Sequence, residues 1–300
     1  MKFAHVAAKV LFEPWFILPS KHATIMQLLR SRMEGSGVSP DMSRRSARRL
    51  DIGDDPAEDC DEGPIPPRVQ SEMGVAIIPI YGIIGKRLSF LELFCGGCDL
   101  EVVSEMLTEA DEDSDIHTII LDFDSPGGLY TGLPECADLI ASIATRKTVI
   151  SFTDTQCCSA AYWLGCNANE FYCTRSSTVG SINGFIAGMD TSEEWKKNGW
   201  TLELFRGRTG DLKAIGLDGK PWEDQEREFL QGQVQKGVDE FVATVQRGRH
   251  GMVPAEAMRG QWFDGDQALG VNLVDGLVDN IQEVVDASLG SHYLQAAGVI

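Results

Sequence analysis

Two continuous apolar runs, His117–Phe123 and Thr148–Phe152, each lead into a short turn, and each turn opens a segment with helical spacing. Apolar runs of this kind are typical of strands that are buried on both faces of a parallel sheet. Val75–Tyr81 and Phe171–Cys173 have the same character and also alternate with helical segments. This alternation predicts an α/β body with largely parallel strand pairing.

Shorter signals predict the other elements. Helices are expected at Lys21–Met33, Leu100–Glu109, Leu129–Thr145, Ser159–Cys166 and Ser192–Asn198, as a long amphipathic helix after Pro221, and from Ile281. Further strands are expected at Trp15–Leu18, at Thr201–Phe205 and near Leu273–Val278.

The composition changes near Met73, which predicts a domain boundary there. Residues 35–72 are rich in Gly, Ser, Pro, Arg and Asp, with a basic block at Ser43–Arg49 and an acidic block at Asp51–Glu62. Opposed charge blocks without apolar periodicity are typical of a linker or mobile arm. We therefore expect an N-terminal segment and linker at 1–72, one globular body at 73–290, and a short tail at 291–300.

Charge and cysteine usage narrow the function classes. The 300-residue chain has a formal net charge of −19, which argues against a general nucleic-acid-binding protein. Its first 50 residues are basic, either to dock on an acidic surface or simply as a solvated leader. No apolar run approaches the ~20 residues of a membrane span, and no signal-peptide pattern is visible. We expect no membrane span, a cytoplasmic location and reduced thiols.

Cys95 and Cys98 have the spacing of metal ligands or of a redox pair. They lack a second cysteine pair or a nearby histidine, so neither a metal site nor a cofactor is expected.

The turns after the two apolar runs carry groups suited to acyl transfer. Gly127 and Gly128 in the first turn can adopt positive φ, so their N–H groups can converge on one oxygen. The second turn places Ser159 at a helix start, with the N–H of Ala160 beside it. A serine next to amide donors is the arrangement that stabilises the oxyanion of peptide hydrolysis.

Each of these motifs also has a simpler explanation. A Ser-Pro-Gly-Gly sequence often forms a plain strand-to-helix turn, and serine is a favoured helix N-cap. The two motifs together, each after a buried strand, favour catalysis.

Ser159 needs a general base, and no histidine occurs between His117 and His250. Lys213 follows the strand expected at Thr201–Phe205 and has apolar neighbours. A lysine acts as a base only when desolvation lowers its pKa towards neutrality, so a solvated loop lysine stays the alternative.

Five ordered motifs over about Val75 to Val278 resemble the signal peptide peptidase A family of serine peptidases, and within it the lambda-type phage head-protease branch. These motifs are Ser125–Gly128, Cys158–Trp163, Ser177–Ile182, Gly210–Lys213 and Phe263–Gly276. The N-terminal stretch Phe12–Pro19 is also similar to the leader of phage members.

The resemblance implies a Clp protease/crotonase-like fold of stacked ββα units. It implies a dyad of Ser159 as nucleophile and Lys213 as base, with Ser181 helping to hold the lysine. It also implies homo-oligomers whose active sites are completed by neighbouring subunits. The substrates would be proteins such as capsid scaffold, portal or coat proteins, cleaved in the host cytoplasm or the procapsid.

Two features depart from the family pattern. Asn183 stands where the family usually has glycine, which would reshape the substrate cleft. The chain ends soon after the closing motif, so we expect no fused C-terminal scaffold domain.

Four alternatives remain open. The chain could be a signal-peptide-peptidase-like cytosolic peptidase, a crotonase-like acyl-CoA enzyme, or a non-catalytic capsid-assembly protein on the same fold. Cys158 could also act as a thiol nucleophile, although no histidine partner accompanies it.

Overall fold

A six-stranded sheet forms the centre of the structure, a computed structural model that describes residues 14–33, 70–89, 92–93 and 96–296. Its strands lie in the order β13-β10-β8-β6-β3-β2, and all pairs are parallel except β2 with β3. They span Gln70–Glu72 (β2), Val75–Tyr81 (β3), Thr118–Asp124 (β6), Thr148–Thr153 (β8), Glu170–Cys173 (β10) and Gly276–Leu277 (β13). The predicted α/β class with largely parallel sheets is confirmed.

Two smaller sheets lie beside the central one. The first has the order β1-β7-β4-β5 and the second the order β12-β11-β9. Their strands are Trp15–Ile17 (β1), Ile83–Gly85 (β4), Gly97–Asp99 (β5), Gly127–Leu129 (β7), Gln156–Cys158 (β9), Thr178–Gly180 (β11) and Trp262–Phe263 (β12).

The helices follow these strands in a repeating order. They are Pro19–Met33 (α1), Leu100–Glu112 (α2), Leu133–Ile143 (α3), Ala160–Gly165 (α4), Ser192–Lys197 (α5), Asp224–Gly248 (α6), Gly265–Gly270 (α7) and Ile281–Ala296 (α8). In β6–β7–α3 and β8–β9–α4, a long central strand is followed by a short strand of a side sheet and then by a helix. This order confirms the predicted ββα units.

The main apolar core lies between the central sheet and helices α2, α3, α4 and α6. Helix α4 is buried at every position, which fits its apolar sequence Ala-Ala-Tyr-Trp-Leu-Gly. Its Trp163 ring stacks on Phe241 of α6 at 4.6 Å between centroids. The segment that begins at Ser159 is therefore fixed by core packing on both sides.

The described strand Trp15–Ile17 of the N-terminal segment packs within this body. Phe16 is fully buried in the main core, and β1 pairs with β7. The expected boundary near Met73 left this strand outside the body, because composition alone does not show a strand whose partner lies over a hundred residues away. The basic and acidic blocks expected to form a linker lie outside the described residues.

Two sequence expectations on secondary structure are wrong. Thr201–Phe205 forms no strand: it has no ladder partner among the described residues, and the Phe205 side chain is 90 % exposed. The helix expected at Leu129–Thr145 begins only at Leu133, because Gly127–Leu129 is a strand and Gly132 has φ +85° at the N-cap. The expected helix after Pro221 is found as α6.

Candidate active site

Ser159 occupies a sharp turn between strand β9 and helix α4. Its backbone has φ 55° and ψ −116°, a conformation that is rare for a residue with a side chain. Its N–H donates to the Gly180 carbonyl at 2.7 Å, and its carbonyl accepts from the Trp163 N–H at 2.9 Å. Strained strand-to-helix turns of this kind are used to present nucleophilic serines.

Ala160 is the first residue of α4, a position whose N–H has no acceptor within the helix. The sequence analysis predicts that this N–H lies beside the Ser159 hydroxyl, and the geometry of the turn is compatible with that prediction. The Ser159 side chain itself has no exposed surface, and its Oγ donates to the Asn183 carbonyl at 3.3 Å.

The glycine turn lies directly against the serine turn. The Cys158 N–H donates to the Ser125 carbonyl at 3.1 Å, which joins the two segments. Gly127 has φ +104°, and a Cβ on it would lie 3.0 Å from the Cys158 carbonyl oxygen and overlap the Phe16 carbonyl oxygen. A side chain at Gly128 would overlap the Ile84 carbonyl oxygen. Only glycine fits this close approach of backbones.

The amides of the glycine turn already have partners in this structure. The Gly127 N–H donates to Ser125 Oγ at 3.2 Å, and Ser125 Oγ in turn donates to the Gly82 carbonyl at 2.6 Å. Gly128 lies opposite Phe16 in the antiparallel ladder of β7 with β1.

Ser181 lies next to the serine turn. Strands β9 and β11 pair in parallel, with Gly180 opposite Cys158. Ser159 follows the last residue of β9 and Ser181 follows the last residue of β11, so the two serines are neighbours. Ser181 is buried and also has φ 55°. The structure thus places the segments that carry Ser159, Ala160, Gly127, Gly128 and Ser181 beside one another, and their catalytic roles stay a prediction.

Lys213 differs from this group in its exposure and in its local structure. Its side chain is exposed on a segment, 201–223, that forms neither helix nor strand. No hydrogen bond joins Lys213 to Ser159 among the residues that the structure describes. The neighbouring side chains of this segment include three exposed apolar ones, Trp200, Leu204 and Phe205.

Lys220, a lysine that the sequence argument did not single out, is buried at the end of the same segment. Its Nζ contacts Glu226 at 2.7 Å and Glu223 at 3.0 Å. Burial alone would lower the pKa of Lys220, but hydrogen bonds with Glu226 and Glu223 outweigh it and leave the pKa raised. A lysine held in its charged form cannot accept a proton, so Lys220 is unsuited to act as a base.

The thiol of Cys158, next to the candidate nucleophile, is buried. Burial raises the pKa of Cys158 to about 12, so the thiolate is scarcely populated near neutral pH. This observation weighs against Cys158 as the nucleophile. No group of three or more metal-ligating side chains occurs within the described ranges, and Cys95 lies outside them.

A feature that the sequence did not reveal is a strand across this site. Strand β1 lies along the glycine turn, and Trp15 also exchanges backbone hydrogen bonds with Phe185 at 2.9 and 3.0 Å. Phe185 is two residues after Asn183, whose carbonyl accepts from Ser159. The strand at Trp15 was predicted, but nothing local in the sequence indicated its partners.

The model of Peptidase family S49 matches residues 141–289, a range that contains Ser159, Ser181 and Lys213. The chain is thus similar to peptidase family S49 over about half of its length. It is 25% identical over 292 residues to "Capsid assembly protease C" of Escherichia phage lambda, covering 93% of this chain and 64% of the relative. It is 23% identical over 280 residues to "Head-tail preconnector protein GP5" of Enterobacteria phage P21, covering 92% and 55%. The resemblance to this peptidase family and its phage branch is therefore confirmed.

The chain spans less than two thirds of the length of these relatives. Among solved structures it is similar to a ClpP1 mutant from Listeria monocytogenes, with a TM-score of 0.42 and 15% identity over 68% of this chain and 91% of that one. Within the described ranges, no helix combines the length and the apolar character needed to cross a bilayer.

Proposed function

We propose that this chain is a serine endopeptidase that uses Ser159 as nucleophile and Lys213 as base. The observation that carries the proposal is the strained turn at Ser159, held against the glycine turn that contains Gly127 and Gly128. The match to Peptidase family S49 supports a serine peptidase, and the raised pKa of the buried Cys158 leaves Ser159 as the better nucleophile.

In this mechanism the Ser159 hydroxyl attacks a peptide carbonyl after giving its proton to the base. The N–H of Ala160 and a glycine-turn amide would stabilise the oxyanion, and losing one such donor costs about 2.7–4 kcal/mol in other enzymes. Ser181, adjacent to Ser159 through the β9–β11 pairing, would orient the base.

The exposure of Lys213 supports a base delivered from a neighbouring copy. Within one chain, Lys213 is exposed while Ser159 is fully buried. The segment before Lys213 also exposes apolar side chains, with Phe205 90 % and Trp200 59 % exposed. Exposed apolar groups in a cluster mark interaction surfaces, so we propose a homo-oligomer in which this segment meets the next subunit.

The proposed substrates are proteins of a phage capsid. The similarity to a phage protein named as a capsid assembly protease supports this choice, and the absence of a described membrane-spanning helix is compatible with it. Scaffold, portal or coat proteins of a procapsid would then be cleaved in the host cytoplasm.

The test is a mixing experiment with two variants. Ser159→Ala and Lys213→Ala should each abolish hydrolysis of fluorescein-labelled casein, whereas Lys236→Ala, an exposed lysine on α6, should not. If the dyad spans two subunits, oligomers assembled from both inactive variants should recover about a quarter of the wild-type rate, because some sites again combine both residues.

The outcomes separate the parts of the proposal. Full turnover by Lys213→Ala would remove the lysine assignment, and no recovery on mixing would place the dyad within one chain. A wild-type protein that neither cleaves casein nor reacts with a fluorophosphonate at Ser159 would contradict the peptidase. That result would favour a non-catalytic capsid-assembly protein.

A further inference from the structure

We propose that the leader strand, defined as Trp15–Leu18, occupies the groove through which a substrate chain reaches Ser159. We further propose that this groove selects an extended peptide with an aromatic side chain at the position of Phe16. The inference rests on the proposed peptidase function, because it assigns the substrate class of the same serine.

The groove has two backbone walls, and the leader strand is bonded to both. One wall is the glycine turn: the Leu18 N–H donates to the Pro126 carbonyl at 3.0 Å, and the Tyr130 N–H to the Pro14 carbonyl at 3.2 Å. The other wall is the segment at Phe185, which exchanges two hydrogen bonds with Trp15. Ser159 donates to Asn183 in the second wall, and its neighbour Cys158 donates to Ser125 in the first.

The bonds that hold the leader strand come from main-chain atoms. An extended peptide of almost any sequence can make such bonds, which is how strands are added to the edge of a sheet. The leader strand therefore holds a position that another extended chain can take.

The register places a leader carbonyl on a predicted oxyanion donor. Bonded pairs in an antiparallel ladder recur every two residues, and the bonds of Leu18 with Pro126 and of Pro14 with Tyr130 fix their positions. Phe16 and Gly128 form the pair between them, so the Gly128 N–H is directed at the Phe16 carbonyl. A substrate needs that amide, so the leader strand and a substrate compete for it.

The pocket under Phe16 is shaped for a ring. The Phe16 ring lies 5.3 Å from Trp163, 5.7 Å from Tyr130 and 5.9 Å from Phe241, measured between centroids. A Cβ at Gly184 or Gly237 would lie 2.7 or 2.9 Å from that ring, so both positions need to be small.

This pocket is next to the candidate nucleophile. Trp163 lies one helical turn after Ser159 and donates its N–H to the Ser159 carbonyl. An aromatic ring of the substrate in this pocket would therefore set which of its peptide bonds lies at Ser159. A pocket with this effect determines cleavage specificity.

The rest of the leader packs in a cluster separate from the main core. Trp15 and Ile17 contact Leu129, Ile25 and Phe185 in this cluster. His22 of α1 adds ring contacts with Trp15 at 5.5 Å and with Phe185 at 5.1 Å. Phe16 is thus the leader side chain that anchors the strand in the main core.

The test measures peptide binding in full-length protein that carries Ser159→Ala, so that turnover does not interfere. The probe is a fluorescein-labelled peptide with the sequence of residues 13–19, Glu-Pro-Trp-Phe-Ile-Leu-Pro. Adding Phe16→Ala should tighten probe binding at least about tenfold, because the weakened leader yields the pocket to the probe. A probe with alanine in place of its phenylalanine should lose this gain.

Two further variants keep the test decisive. Trp15→Ala weakens the leader without emptying the main core, and it should also tighten probe binding. Phe171→Ala removes a fully buried ring of the same core, one that contacts Phe123 and Tyr162, and it should not. Equal binding by the parent and both leader variants, or an equal gain in Phe171→Ala, would overturn the proposal.

A parallel assay with Ser159 intact separates this inference from the peptidase proposal. Tighter binding without cleavage in Phe16→Ala would support the pocket and contradict the peptidase. Cleavage with no preference for the aromatic probe would support the peptidase and overturn the pocket.

Discussion

The backbone at Ser159 adopts a conformation that costs about 1–3 kcal/mol for a residue with a side chain. Its hydrogen bonds with the Gly180 carbonyl and the Trp163 N–H hold it there. A purely structural turn between a strand and a helix would not need this strain.

We predict that Ser159→Gly is more stable than Ser159→Ala by about 1–2 kcal/mol, while both are inactive. Glycine adopts positive φ freely, whereas alanine keeps the strain that serine has. Urea unfolding of the two variants gives the difference directly. A glycine variant less stable than the alanine variant would show that this turn stores no strain.

The Cys158 thiol gives a second prediction at this scale. Because burial raises its pKa to about 12, iodoacetamide at pH 8 should leave casein cleavage unchanged. Mass spectrometry should find Cys158 unmodified in the folded protein and alkylated after unfolding in guanidinium. Rapid alkylation of folded protein, with loss of cleavage, would return Cys158 as a candidate nucleophile.

The residues of the serine and glycine turns could be predicted because their chemistry is local. The glycine turn and the serine turn each come a few residues after a central strand, β6 or β8, and these strands are parallel neighbours, so the sheet brings both turns to one edge. Lys213 could not be placed in the same way. It lies on a segment without regular structure, and no ladder fixes its distance from Ser159.

At the scale of elements, the irregular segment 201–223 joins α6 through a buried ion pair. Lys220 is 7% exposed and Glu226 only 1% exposed, with Nζ and Oε2 2.7 Å apart. The Glu226 carboxylate also accepts from the Glu223 N–H, which closes the capping box of α6.

We predict that Lys220→Met lowers the free energy of unfolding by about 3–5 kcal/mol, because it leaves a buried carboxylate without its partner. The double variant Lys220→Met with Glu226→Met should recover most of that loss. Chemical unfolding at pH 7 measures both. A double variant as unstable as the single one would mean that the pair is not what fixes this junction.

The same pair predicts a pH dependence. The pKa of Lys220 in the folded state is raised, since its hydrogen bonds with Glu226 and Glu223 outweigh the opposing effect of burial. Its contribution is therefore complete below the ordinary lysine pKa of ~10.4 and is lost as the pH rises through the higher folded value. The stability difference between wild type and the double variant should change little from pH 7 to 9 and shift against wild type only in stronger alkali.

Elements with strong periodicity could be predicted closely. Val75–Tyr81 has the predicted bounds, and α6 begins three residues after Pro221. The prediction of a strand at Thr201–Phe205 is wrong. The alternation of apolar residues there is typical of a strand, but no neighbouring strand is available to pair with it among the described residues. Local pattern predicts a propensity, and pairing decides whether it is realised.

At the scale of the whole molecule, Arg249 connects the end of α6 to the closing segment. Its guanidinium contacts Asp275 at 2.7 and 2.8 Å and donates to the Asn272 carbonyl at 3.1 Å. Asp275 also accepts from the Phe171 N–H of β10 at 2.7 Å. One buried arginine thus joins three parts of the chain that are distant in sequence.

We predict that Arg249→Lys lowers the free energy of unfolding by about 2 kcal/mol or more, because lysine cannot make the paired contacts of a guanidinium. Arg247→Lys, two residues away and exposed, is the matched control and should change stability little. Thermal unfolding of both variants tests this. Equal effects would show that the Arg249 contacts are not important for stability.

The overall fold could be predicted from the alternation of strands and helices, since each ββα unit is contiguous in sequence. The position of the leader strand across the site could not be predicted from the sequence. The leader strand pairs with residues more than a hundred positions away, and the relevant contacts, such as Phe16 with Gly184 and Gly237, leave no periodic trace in either segment.

The position of the leader strand has a consequence for the order of biosynthesis. Phe16 leaves the ribosome long before Gly128, Phe185 and Phe241, the residues that enclose it. Each wall of the groove therefore folds in the presence of a tethered occupant. With the leader strand in the groove, a newly synthesised copy has a blocked active site. It cleaves no other protein until a competing chain displaces the leader strand.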